Sequence, residues 1–148
     1  MTKNTSSFYK KTFKKRGFVS RRRSWRVAAD FPSSFRYAFQ GLLYAFISQR
    51  NFRIHLCIGF FTFGLGLWLN LKSVDLAILV LTISAVLVLE LLNTAIEAVV
   101  DLSTGRRFHP LAKIAKDCSA ASVLLASISS IFIAILLLVP QLLPLLGF

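Results

Sequence analysis

Acidic side chains are scarce in this sequence: six Asp and Glu stand against eighteen Lys and Arg in 148 residues. No P-loop, no protein-kinase signature and no glycine-rich phosphate loop occurs anywhere, so the common soluble nucleotide-binding motifs are excluded. Cysteine is nearly absent. Cys57 and Cys118 are far apart, with no CxxC and no metal-ligand spacing, and read as buried small apolar residues. No secretory signal peptide is expected, because no short apolar stretch follows the basic start before residue 54.

What is abundant is apolar sequence. The chain is 55% hydrophobic and 16% charged, with mean hydropathy +0.66, more apolar surface than a soluble domain of this length can cover. Its charge is lopsided. Ten of the eighteen Lys and Arg fall in residues 1–30, against one acid, Asp30. A basic tail joined to apolar runs points to a membrane with anionic lipid head groups and not to nucleic acid. The arm shows no sustained apolar periodicity and is expected to be disordered; its Arg, Lys and Ser content also describes an organellar transit peptide.

Pro32-Ser33-Ser34 is a helix-start signal. Beyond it Phe35, Phe39, Leu42, Leu43 and Phe46 recur at helical spacing, with Arg36, Gln40 and Arg50 largely off the stripe. This predicts an amphipathic helix over 33–52 lying in the membrane surface. Three apolar runs follow and predict transmembrane helices over 54–71, 74–100 and 119–139, the last stopped by Pro140. The fold class expected is therefore all-α integral membrane, with residues 31–148 as one membrane domain. Lys and Arg cluster before the first run and between the second and third, so the positive-inside rule puts the N-terminus and the 101–118 loop in the cytoplasm.

An ionisable group inside an apolar span costs about 2.5–3.5 kcal/mol on insertion scales. The second run keeps two, Glu90 and Glu97. With Asn93 and Asp101 they share one stripe about 80° wide on a helix, too polar to face lipid. Such a stripe also suits a polar seam that only holds helices together. Beyond the loop stand His109, Lys113, Lys116 and Asp117, with the two lysines on one helical face. Carboxylates opposite lysines fit a divalent metal with polyphosphate: magnesium takes one or two carboxylates plus phosphate oxygens, and lysine binds phosphate as a point charge. A remaining carboxylate can take a proton from an attacking hydroxyl.

The runs Glu90-Leu-Leu-Asn93-Thr94-Ala-Ile-Glu97-Ala-Val-Val-Asp101 and His109-Pro-Leu-Ala-Lys113-Ile-Ala-Lys116-Asp117 closely resemble the prokaryotic diacylglycerol kinase family, which includes undecaprenol kinases. The resemblance extends upstream through Gln49-Arg-Asn-Phe-Arg-Ile-His55 and covers roughly residues 33–140. It implies a homotrimer in the bacterial inner membrane, with active sites at subunit contacts. It implies transfer of phosphate from ATP, with Mg2+, to the hydroxyl of diacylglycerol or undecaprenol. Glu90 matches the family's catalytic base and Glu97 its metal-binding glutamate. Asn93 and Asp101 match polar residues near the phosphates and nucleotide, Lys116 the lysine on the ATP phosphates, and Asp117 its orienting neighbour. Phe108 and His109 fall near the expected adenine position. One departure stands out: the family's second metal-binding acid is Gln49 here, a neutral ligand. The Arg50–His55 run looks more like the undecaprenol-kinase branch. The rival readings are a catalytically silent nucleotide- or lipid-binding protein on the same scaffold, and a small proton-coupled carrier.

Overall fold

The computed structural model describes residues 31–147, so the expected disorder of the basic arm lies outside the described residues. The described residues are helical almost throughout, in the order α1 (Phe31–Ser48), α2 (Arg50–Trp68), α3 (Ser73–Thr104), α4 (Pro110–Leu142) and a short 3-10 turn, Leu143–Leu146. The chain divides into two units, with the boundary between Ser48 and Gln49.

The first unit contributes α1. It is the most amphipathic of the described helices, and Phe35, Phe39, Leu42, Leu43 and Phe46 are exposed along it. The surface helix expected over 33–52 ends earlier. Gln49 takes an extended conformation (φ −103°, ψ 116°), and a new helix starts at Arg50. The apolar pattern runs through this break without a gap, which is why periodicity alone misses it.

In the second unit α3 packs against both α2 and α4. A tight turn after α2, with Asn70 in the left-handed region (φ 54°), reverses the chain into α3. Gly105 (φ 59°) caps the other end of α3 by donating its N–H to the Asp101 carbonyl, and Arg106 (φ 62°) continues the reversal into α4. At the Leu71 end the three helices close over a dry leucine cluster: Leu71, Leu79 and Leu138 are buried, with Leu65, Leu76 and Leu137 packed around them. Gly59 permits close approach of α2 and α3, since a Cβ there would sit 2.6 Å from Ile83 Cγ2.

Outside this narrow core the surface is apolar. Phe60, Phe61, Leu81, Leu125 and Leu136 are each about two-thirds or more exposed, a pattern that water does not tolerate over contiguous helix faces. α3, and α4 together with the following turn, are each long and apolar enough to cross a membrane. α2 has the length, 19 residues, but Asn51, Arg53 and His55 in its first two turns dilute its apolar character. The helices differ from the expected spans at their ends. α2 stops at Trp68 rather than 71, α3 runs on through Thr104, and α4 starts nine residues before Ser119. α4 also continues past Pro140 to Leu142; the imide removes one backbone hydrogen bond without ending the helix there. Both cysteines are exposed, which corrects the expectation of burial. Helices that are apolar on every side give no sequence signal for which face turns inward.

Candidate active site

The polar stripe of α3 lies where expected, and the structure shows what it meets. Glu90 is 4% exposed, about 26 Å along the helix from Ser73. Thr94 donates to the Glu90 backbone carbonyl at 2.9 Å and so leaves its carboxylate untouched. The carboxylate is met from α2: His55 Nε2 lies 3.4 Å from Glu90 Oε1. One helical turn nearer the C-terminal end of α3, Asn93 uses both ends of its amide. Its Nδ2 donates to Glu97 Oε1 at 3.2 Å, and its Oδ1 lies 2.6 Å from the Ser119 hydroxyl of α4. That pairing fixes which end of the amide is which, because a flipped Asn93 would set oxygen against carboxylate. Ser119 is buried and has the Lys116 carbonyl as a second acceptor at 2.9 Å. Lys116 itself crosses from α4 to Asp101, a partly exposed ion pair of the kind worth about 0–1 kcal/mol. Two sets of contacts thus form: His55–Glu90 between α2 and α3, and the chain Glu97–Asn93–Ser119–Lys116–Asp101 between α3 and α4.

Five of the residues singled out in the sequence stand outside these contacts. Lys113 and Lys116 do not act together: Lys113 pairs with Asp117 on its own helix, both exposed. Phe108 is exposed in the loop. His109 is the N-cap of α4, its Nδ1 accepting from the Leu111 N–H at 3.2 Å, so a structural role already holds its ring. Gln49 is half-buried at the break before α2 and makes no side-chain cap hydrogen bond to that helix. His55 and Ser119 are the two participants that the sequence reading did not assign to the site. His55 was legible as the one ionisable group at the edge of an apolar run.

A cavity of about 140 Å³ opens between α2, α3 and α4, with His55, Thr62, Thr82, Ser127 and Ser130 among its lining residues. No group of three or more His, Cys, Asp or Glu able to cage a metal occurs among the described residues. A magnesium ion held by one or two carboxylates plus phosphate oxygens needs no such group.

Comparison with known proteins identifies the family. The model of the family described as prokaryotic diacylglycerol kinase matches residues 36–138. The diacylglycerol kinase of Synechocystis sp. is 50% identical over 125 residues, covering 84% of this chain and 71% of that protein. The undecaprenol kinase of Bacillus subtilis is 38% identical over 112 residues, covering 76% of this chain and 90% of its own length. The diacylglycerol kinase of Escherichia coli K12 is 34% identical over 95 residues, 64% of this chain and 77% of that enzyme. With the match spanning α2, α3 and most of α4, this protein belongs to the prokaryotic diacylglycerol kinase family.

Proposed function

We propose that this protein is a membrane lipid kinase that moves the γ-phosphoryl group of ATP to the hydroxyl of diacylglycerol or undecaprenol. The observation that carries the reading is a buried carboxylate, Glu90, on the same helix face as a polar chain that ends in the Lys116–Asp101 pair. In this reading α2 is a third span beside α3 and α4, the N-terminus and the 105–109 loop are cytoplasmic, and the protein is a homotrimer of the bacterial inner membrane. The basic arm, by its charge, holds anionic head groups. α3 is about 48 Å long, more than the roughly 30 Å hydrocarbon thickness, so its last turns reach past the lipid boundary. Glu90 then sits just inside the boundary and Asp101 beyond it, where a lipid hydroxyl and a water-soluble nucleotide can meet.

Each residue has a part in the transfer. Glu90 takes the proton of the lipid hydroxyl as its oxygen forms a bond to the γ-phosphorus and the bond to the ADP oxygen breaks. Lys116 leaves Asp101 for the phosphates, and Asp117, Phe108 and His109 lie on the nucleotide side. Asn93 holds Glu97 in place. The donor types fit Mg2+, which one carboxylate oxygen of Glu97 and a second oxygen from Gln49 or Asp101 would hold together with phosphate oxygens. When bound, Mg2+ neutralises charge on the β- and γ-phosphates.

The diacylglycerol reading is supported by the relative at 50% identity. The undecaprenol reading is supported by the relative whose length is 90% covered and by the Arg50–His55 run. Purified protein in mixed micelles with radiolabelled ATP and Mg2+, given diacylglycerol or undecaprenol in parallel, tests the proposal. Labelled phosphatidic acid or undecaprenyl phosphate is the expected product. ATP binding without transfer to either lipid would support the silent-scaffold reading instead.

A further inference from the structure

A carboxylate that serves as base needs one oxygen held and the other free. The polar stripe of α3 does not supply this to Glu90. Asn93 gives its donor to Glu97, and Thr94 gives its donor to the Glu90 backbone. Among the described residues, the one ion-pairing contact of the Glu90 carboxylate comes from α2, through His55 at 3.4 Å. The two side chains differ in access: Glu90 is 5% exposed and His55 25%, so the imidazole is the more accessible of the pair. His55 also lines the cavity between the three helices.

The register of α2 on α3 holds His55 there. His55 and Gly59 are four residues apart and share a face of α2; Ile83 and Glu90 are seven apart and share a face of α3. The helices are antiparallel, so His55 and Glu90 lie in the same direction from the Gly59–Ile83 contact. The missing Cβ of Gly59 brings the helices together at that point, with the vacant Cβ position 2.6 Å from Ile83 Cγ2. A distance of 3.4 Å is slightly long for an N–H to carboxylate hydrogen bond. Catalytic contacts are commonly long before substrate binds and tighten in the complex.

Resting on the lipid-kinase reading, we infer that His55 is a positioning residue: its Nε2–H holds Glu90 Oε1 and so aims the other carboxylate oxygen at the lipid hydroxyl. His55 touches neither phosphate nor nucleotide in this role. Its loss therefore lowers kcat and leaves KM for ATP and for lipid in place. Glutamine carries an N–H at a reach similar to Nε2, whereas asparagine is one methylene shorter and leucine has no donor.

The test is steady-state transfer by the full chain in mixed micelles, with diacylglycerol and with undecaprenol, for wild type, Glu90→Gln, His55→Leu, His55→Gln and His55→Asn, each checked for assembly by size-exclusion chromatography. Expected is a kcat loss of about tenfold or more for His55→Leu and His55→Asn, recovery to within about threefold for His55→Gln, and KM values within about twofold of wild type. If His55→Leu fails to assemble, the contrast between the glutamine and asparagine variants decides. The inference is overturned if His55→Leu turns over at the wild-type rate, if glutamine is no better than asparagine, or if the loss lies in KM. Should wild type transfer phosphate, Glu90→Gln abolish it and the His55 series behave as wild type, the kinase reading stands and this inference alone is lost. A wild type that transfers no phosphate removes both.

Discussion

The two ends of α3 are built on opposite terms. At its start, Leu79 is fully buried among leucines, with no polar group in the cluster. From Glu90 onward the same helix carries a carboxylate, an amide and two more carboxylates, each met by a polar group or a cation from α2, α3 or α4. Leucine packing is non-directional and tolerates small shifts. The polar end is directional: Asn93 satisfies Glu97 and Ser119 at once only in one orientation. One end therefore holds the helices together, and the other fixes where charges stand.

Mutations at the two ends should separate these roles. The largest effect is expected at Glu97. Replacing Glu97 by Gln removes the half-buried carboxylate assigned to the metal, and Mg2+-dependent turnover should fall by about 100-fold or more while the protein still assembles; a metal titration of the transfer rate reads this. Next come Asn93→Ala and Ser119→Ala. Each breaks one link and should cost about tenfold in turnover, and the double variant should cost less than the product of the two because they share a hydrogen bond. Measured additivity would mean that the two residues act separately. At position 49 a smaller effect is expected: Gln49→Glu adds a charged oxygen and should lower the Mg2+ concentration for half-maximal rate by a few-fold. An unmoved magnesium curve would exclude residue 49 as a ligand and leave Asp101 as the next candidate.

The opposite end sharpens the contrast. Leu79→Ala should destabilise the fold by about 2–5 kcal/mol, as for other buried leucines, seen as a lower midpoint of thermal or denaturant unfolding. Turnover per folded molecule should change by less than about twofold, because no polar contact of the site passes through Leu79. A loss of turnover as large as at Asn93 would mean that the two ends are not separable.

Much of this was legible in the sequence, and the reason is specific. A single helix has a fixed period, so Glu90, Asn93, Glu97 and Asp101 could be assigned to one stripe without knowing any partner. Family resemblance then attached roles to them. What the period cannot give is which side chain of another helix stands opposite. His55 facing Glu90, and Ser119 facing Asn93, depend on the register set by Gly59 and by the turns at Asn70 and Gly105. The break at Gln49 was hidden because apolar residues continue on both sides. The separate fate of Lys113 was hidden because Lys113 has Asp117 four residues on, a local partner that competes with the α3 carboxylates. Exposure of Cys57 and Cys118 was not legible because apolar character does not distinguish a face turned to lipid from one turned to protein.

In the proposed mechanism the buried carboxylate of α3 serves proton transfer and does not merely hold helices together. Glu90→Gln tests it most directly, since the amide keeps the size and the hydrogen-bonding capacity of the side chain but takes no proton from a lipid hydroxyl. ATP binding, measured by isothermal titration, and assembly should stay as in wild type, while phosphate transfer to lipid should fall by about 100-fold or more. Transfer at the wild-type rate by an assembled Glu90→Gln protein would contradict the account and make Glu90 a structural residue.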